Sequence, residues 1–219
     1  MELIFQEGDY IVKMLDTYEE FDAALKLRHD VFREELKWVP PSPDGLDKDE
    51  YDSYAQSIGI FDSAHELLGN VRLIQAPAPF MIEKEFACLL TEDEHFTKKS
   101  DSAEVTRYCV KKCHRHRRFL ACISNLIYKG LYQWNIYHSI RHSIMVVDDR
   151  CYRLLRLSGL PVRSKGDFLT MPDGVKAAIC TLDWLEFEKI AAVNKPGFLT
   201  WMGTISNRSS AQLQGHAIC

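Results

Sequence analysis

What most constrains this chain is the order in which its apolar periodicity changes. Residues 18–36 place Phe21, Ala24, Leu25, Leu27, Val31, Phe32 and Leu36 at helical intervals with charges between them, the pattern of an amphipathic helix. Runs at 57–61 and 67–74 flank a polar turn at 62–66 and predict paired strands, and 103–110 predicts another strand. Residues 118–137 then form a long apolar stripe of helical period, 143–147 a short buried strand, and 149–158 a helix stopped by Gly159 and Pro161. A last strand is expected at 175–182, followed by a helix to about Val193. From Asn194 onward, Pro196, Gly197 and a Ser/Asn/Gln-rich composition predict a loosely held tail. The expectation is a single folded domain over 1–193, with 194–219 as an appendage. Its class is α/β, a three-layer α-β-α sandwich around one curved mixed sheet.

Charge is distributed unevenly along this order. The 219 residues carry 27 Lys+Arg against 31 Asp+Glu, a net charge of −4. Residues 1–103 hold 10 basic and 23 acidic side chains, whereas 104–165 hold 13 basic and 3 acidic. A nucleic-acid-coating protein would be basic throughout, and an acidic disordered chain would lack the 46% hydrophobic content seen here. No apolar run approaches the roughly 20 residues needed to cross a bilayer. Residues 1–10 carry Glu2, Glu7 and Asp9 where a signal peptide needs basic and then apolar residues. A cytoplasmic protein with no nucleic-acid or membrane partner is expected. Its 7 cysteines, an odd count that includes Cys88, Cys122, Cys151 and Cys180 in apolar surroundings, suit reduced core thiols better than a disulfide framework.

Three constellations carry possible chemistry. Residues 37–55 hold Pro40, Pro41, Pro43 and Gly45 together with Asp47, Asp49, Glu50 and Asp52. So polar and broken a stretch predicts an ordered loop, and long loops in compact domains are commonly functional. It lacks the full calcium-loop pattern, and no metal site is expected. Most acidic loops are merely solvated, but Phe32 and Trp38 precede this one, and carboxylates beside aromatic faces suit a small cation. The second constellation is Glu104-Val105-Thr106-Arg107. A regular pleat puts residues 104 and 107 on opposite faces, so only a bulge or strand end brings both to one site. The alternative is a cross-strand ion pair with Arg72 or Arg28. The third is the run Lys111-Lys112-Cys113-His114-Arg115-His116-Arg117-Arg118. Its cations oppose a metal ion, and a basic helix N-terminus conflicts with the helix dipole unless an anion sits there. Lys111, Lys112, Arg115, Arg117 and Arg118 are therefore a candidate phosphate grip.

Leu27-Arg28-His29-Asp30-Val31-Phe32, Trp38, Gly45-Leu46-Asp47-Lys48-Asp49-Glu50-Tyr51-Asp52, Gly69-Asn70-Val71-Arg72-Leu73, Phe86 and Glu104-Val105-Thr106-Arg107 succeed one another at set distances. In this order and spacing the chain resembles the acyl-homoserine-lactone synthases, the LuxI-type autoinducer synthases, over residues 27 to about 159. The family's invariant set falls here on Arg28, Phe32, Trp38, Asp49, Asp52, Arg72, Phe86, Glu104 and Arg107. Asp47 stands where a Glu is common and Thr106 where a Ser is common, and nothing beyond Val193 resembles the family.

The resemblance implies a fold similar to GNAT acyltransferases and a two-step reaction. An acyl group passes from acyl carrier protein or acyl-CoA to the amine of S-adenosylmethionine, and the methionyl carboxylate then displaces methylthioadenosine to close a lactone used in quorum sensing. Both partners are substrates, and no cofactor is expected. On this reading Glu104 is the general base, and Arg28 or Arg107 meets the substrate carboxylate. Phe32, Trp38, Asp49 and Asp52 hold the sulfonium and adenosyl groups, with Arg72 among them pairing with the acidic loop and fixing its shape. The acyl pocket is expected between the 118–137 helix and the 143–147 strand, with Phe86, Val105, Met145 and Val147. Family members that prefer 3-oxo chains tend to carry a Thr on that strand, so Met145 and Val147 imply chains unsubstituted at C3. Two rivals stay open: a GNAT-like N-acyltransferase for another amine, and a non-catalytic carrier-binding protein on the same fold.

Overall fold

The computed structural model describes residues 4–90, 98–112 and 117–205, with Arg117 described by its backbone alone. Its middle layer is one sheet built from β1 (Ile4–Glu7), β2 (Tyr10–Met14), β3 (Gln56–Phe61), β4 (Leu67–Gln75), β5 (Ser102–Val110), β6 (His142–Asp148), β7 (Arg163–Ser164), β8 (Leu169–Thr170) and β9 (Lys176–Asp183). The strand order is β1-β2-β3-β4-β5-β6-β9-β7, with β8 also paired to β9. All neighbours are antiparallel except β5 and β6. That parallel pair is short, joining only Ser102↔His142, Ala103↔Ser143 and Glu104↔Ile144. β5 then continues to Val110 and β6 to Asp148 without pairing to each other, so a wedge opens in the middle of the sheet.

Strand alternation sends Ile144 and Ile179 to one face and Ala103, Val105, Met145, Cys180 and Leu182 to the other. The first face is covered by α1 (Tyr18–Arg28), through Ala24 and Leu27, and by the segment around Phe80, Met81 and Ile82. On the second face lie α2 (Arg117–Tyr137), α3 (Asp149–Leu157), α4 (Trp184–Asn194) and α5 (Pro196–Gly203). Gly69 lets α2 come this close, because a Cβ there would stand 2.9 Å from Ile123 Cγ2. The architecture is the expected α-β-α sandwich with a mixed sheet.

Several local expectations change. The hairpin β1–β2 extends the sheet where no strand was foreseen, its buried side chains Phe5 and Val12 being too few to show a period. The 18–36 helix widens at His29 into a π-type turn through Glu35, with the Leu36 N–H donating to the Val31 carbonyl. Extra residues in a turn rotate the chain beyond it, and such turns often lie at functional sites. The loose tail fails over 196–203, which form α5. Pro196 sits in its first turn, where a missing N–H costs nothing, and Met202 is wholly buried while Phe198 stacks on Trp201. Residues 206–219 lie outside the described residues. Cys151 and Cys180 are free thiols and so is Cys88, which is exposed rather than in the core, while Cys122 is disulfide-bonded, which corrects the expectation of reduced core thiols throughout. Among the described residues no helix is long and apolar enough to cross a membrane.

Candidate active site

The bulge that Glu104 and Arg107 require is present. Between β4 and β5 the register passes from Asn70↔Cys109 to Arg72↔Thr106, so two β5 residues oppose Val71 alone. Arg107 has a positive φ of 52°, in the left-handed region that one class of bulge uses at its first residue. This turns its side chain into the same cavity as Glu104. Glu104 is not paired to Arg72 or Arg28. Its Oε2 accepts from the Met81 N–H at 2.6 Å and its Oε1 from the Ile82 N–H at 3.0 Å. Burial pushes this carboxyl up to about 7, against the opposing pull of those two N–H groups and of Arg72. It therefore changes charge near neutral pH.

The acidic loop is not the bare anionic cluster expected for a cation. Its short turn Glu50–Ser53 is capped by Asp49, which accepts from the Tyr51 N–H, while Asp52 accepts from the Asp49 N–H. The carboxylates then meet arginines from three other elements. Asp47, fully buried, accepts from Arg28 Nε at 2.9 Å, Arg33 Nε at 2.8 Å and Arg107 Nε at 2.7 Å. Asp52 takes a forked pair from Arg28, at 2.7 and 3.2 Å. Arg72 Nη1 bridges Asp49 at 2.5 Å and Asp52 at 2.6 Å, and Arg107 Nη2 reaches Asp49 at 3.0 Å. Burial would raise the Asp47 carboxyl, but Arg107 and Arg28 outweigh it and hold it at about 2. Arg28, Arg33, Arg72 and Arg107 thus face Asp47, Asp49 and Asp52 with one positive charge in excess. That balance favours an incoming carboxylate.

Two cavities flank the wedge. The front one, of about 330 Å³, is lined by Phe32, Trp38, Met81, Phe86, Glu104, Val105, Thr106, Arg107, Val147 and Asp148 among others. The rear one, of about 210 Å³, lies between α2 and β6 and is lined by Tyr128, Leu131, Met145, Cys151, Leu155, Leu182 and Trp184. Phe32, Trp38, Val105, Thr106, Arg107, Val146, Val147 and Asp148 belong to both walls. The Phe32 and Trp38 rings are 6.0 Å apart, and the Arg107 guanidinium lies 5.4 Å from the Phe32 ring centre.

The structure thus brings Phe32, Trp38, Phe86, Glu104, Val105, Arg107 and Val147 around the front cavity. Of the expected acyl pocket, Val105, Met145 and Val147 also line the rear cavity, whereas Phe86 faces the front one alone, because it follows the 80–82 segment on the opposite face of the sheet. Arg28, Asp49, Asp52 and Arg72 line neither cavity and stand behind Arg107 as its support. The sequence names Asp47 within the acidic loop but gives it no role, although it ties three arginines, and it passes over Arg33. It also missed Met81, whose N–H holds Glu104 and whose sulfur accepts from Arg72 Nη2 at 3.0 Å. Asp47 had two sequence signals, its proximity to Asp49 and Asp52 and its place in the motif where a Glu is common; Met81 had none. Of the basic run, Lys111 pairs with Glu66 and Lys112 is exposed beside Glu34 and Glu35. Arg115 and the side chain of Arg117 lie outside the described residues, and Arg118 is exposed at the start of α2.

Comparison with known proteins places this geometry. The autoinducer synthase family matches residues 13–189. An acyl-homoserine-lactone synthase of Agrobacterium fabrum is 31% identical over 163 residues, 69% of this chain and 75% of that protein. One from Aliivibrio fischeri is 28% identical over 151 residues, 68% of this chain and 78% of that one. Among solved structures, the AHL synthase LasI superposes with a TM-score of 0.72 at 18% identity, over 80% of this chain and 90% of its own. The CoA-dependent acyl-homoserine lactone synthase BjaI, solved with SAM and isopentyl-CoA, gives 0.70 at 20% identity over 90% and 89%. A match across most of the chain, a relative above thirty per cent identity and a shared fold lead to one conclusion: this chain belongs to the autoinducer synthase family, the acyl-homoserine-lactone synthases.

Proposed function

We propose that this enzyme transfers an acyl group from a thioester to the amine of S-adenosylmethionine and then closes the lactone. The observation that carries the reading is Glu104, a buried carboxyl raised to about 7 that faces a cavity sharing its wall with an apolar one. An amine attacks a thioester only as the free base, and a carboxyl of this kind takes up the proton near neutral pH. The nitrogen adds to the thioester carbonyl, the C–S bond breaks, and the carrier thiol leaves as the amide forms. The methionyl carboxylate oxygen then attacks the γ-carbon, the C–S bond to the sulfonium breaks, and methylthioadenosine departs. A sulfonium is already a good leaving group, so this second step needs mainly a folded-back substrate.

Arg107 is assigned to the substrate carboxylate, and the Phe32 and Trp38 rings to the cationic and adenosyl parts. Arg28, Arg72, Asp49 and Asp52 take a supporting role, because their charges are already engaged with one another and with Arg107. BjaI, solved with SAM and isopentyl-CoA, and TofI, solved with an inhibitor and MTA, share this fold, and the molecules bound to them are of the classes that the proposed reaction uses and releases. The acyl chain enters the wedge toward Met145 and Leu155, and the apolar Met145 and Val147 favour chains unsubstituted at C3. The donor is acyl carrier protein or acyl-CoA, with the basic run after Val110 meeting its phosphate.

The excess positive charge also favours a rival, an N-acyltransferase whose acceptor amine carries a carboxylate but no sulfonium. Pure protein incubated with S-adenosylmethionine and a panel of acyl-carrier and acyl-CoA donors separates the two. The expected products are methylthioadenosine and a lactone with an unsubstituted C3. Absence of methylthioadenosine with every donor contradicts the proposal, and mainly 3-oxo products contradict the reading of Met145 and Val147.

A further inference from the structure

Arg107 stands in a conformation that side chains other than glycine adopt only when their surroundings hold them there. Most of its bonds are made by the guanidinium, far from the backbone that carries the strain. Among the described residues, one side chain hydrogen-bonds that backbone. Asn70, on the neighbouring strand β4, sits where the register breaks, and its Nδ2 donates to the Arg107 carbonyl at 3.4 Å. Asn is disfavoured in mid-strand. Here it is also fully buried, and its Oδ1 has no hydrogen-bond partner among the described residues. A buried amide with one end unsatisfied is costly, so its donor end is the part the site uses.

We propose that Asn70 is a positioning residue for Arg107. Its amide clamps the carbonyl at the bulge, keeps φ in the left-handed region, and so aims the guanidinium at the front cavity between Asp47, Asp49 and the Phe32 ring. The functional part of this inference rests on Arg107 receiving the substrate carboxylate.

The test is a double-mutant cycle on S-adenosylmethionine binding, read by titration calorimetry on the full chain, together with a crystal structure of Asn70→Val. Asn70→Val removes the donor while suiting a strand better. Its dissociation constant is expected to rise about tenfold, with thioester binding within about twofold of wild type. Asn70→Ser, which keeps a donor, should recover part of that loss. On an Arg107→Ala background, Asn70→Val should add nothing, because its effect passes through Arg107. In the variant crystal Arg107 should leave the left-handed region. An unchanged dissociation constant, an equal loss on the Arg107→Ala background, or an unmoved Arg107 overturns the proposal. If Asn70→Val does not fold, Asn70→Ala, which also removes the donor, carries the same cycle. Wild-type protein that releases no methylthioadenosine contradicts the proposed reaction instead, and the φ of Arg107 in the variant is read without any turnover.

Discussion

The two cavities share strands β5 and β6 as a wall, yet their chemistry differs sharply. The front cavity holds Glu104, Arg107, Asp148 and Asp173, with the arginine–aspartate network directly behind Arg107. Away from the shared wall, the rear cavity offers Tyr108, Tyr128, Leu131, Met145, Cys151, Leu155 and Leu160. Burial pushes the Cys151 thiol up to about 12 and the Tyr108 hydroxyl to about 12, and carries Tyr128 well above its ordinary value. None of these three is charged at neutral pH. Arg107 and Asp148 border both cavities, so the contrast lies beyond the shared wall: Glu104 opens on the front cavity alone, while α2 and α3 close the rear one with neutral, largely apolar side chains. A molecule with a charged head and an acyl chain is what such a divided site fits.

The most severe break of this comparison is at Glu104. Glu104→Gln should lower the turnover number by about 10²–10⁴-fold, the usual worth of a positioned acid or base, with the Michaelis constants changing far less. Steady-state methylthioadenosine release measures it, and a circular dichroism spectrum checks the fold. The network behind Arg107 comes next. Asp47→Asn leaves Arg28, Arg33 and Arg107 without their shared partner and should cost about 3–5 kcal/mol in urea unfolding. Asp47 is held at about 2, below its unfolded value of 3.8, so it stabilises the fold above pH 3.8. That contribution is lost as pH falls toward 2, and the shift corresponds to about 2 kcal/mol. The Asn variant should show a flatter acid limb over that window.

These two residues also mark what the sequence made legible. The need for a bulge at Arg107 came from the two-residue period of a strand, and the geometry provides it. The partition into helices and strands came from periodicity wherever a segment was long enough to show one. The pairing of carboxylates with arginines was hidden, because Arg28 and Asp47 are 19 positions apart and Arg107 and Asp49 are 58 apart. Composition shows an acidic loop and leaves out the cations that the fold delivers to it. Met81 was invisible for a related reason, since its N–H acts on Glu104 and no side-chain pattern reports that. The α5 segment is hidden in the sequence because Pro196 and Gly197 look like breakers, whereas a proline in the first turn is compatible with a helix.

Weaker effects are expected on the apolar side. Leu155→Trp fills the rear cavity and should shift preference toward shorter acyl chains by about tenfold, with S-adenosylmethionine affinity within about twofold. Competition between a short and a long acyl donor, read by mass spectrometry, measures the ratio. An equal loss for all chain lengths would move the acyl chain elsewhere. The smallest effect is on the basic run after Val110. Raising salt from about 0.05 to 0.3 M should reduce carrier-dependent turnover a few-fold more than CoA-dependent turnover, because docking of an acidic carrier is screened.

At the centre of the proposed chemistry, Glu104 removes the proton from the attacking amine. The pH profile of kcat/KM for methylthioadenosine release, measured on wild type and Glu104→Gln, tests this most directly. Wild type should show an acidic limb with an inflection near 7, in addition to the limb of the substrate amine at about 8. The variant should be slow and should retain the amine limb alone. A wild-type profile with no inflection near 7, or a variant that keeps it, would contradict the assignment.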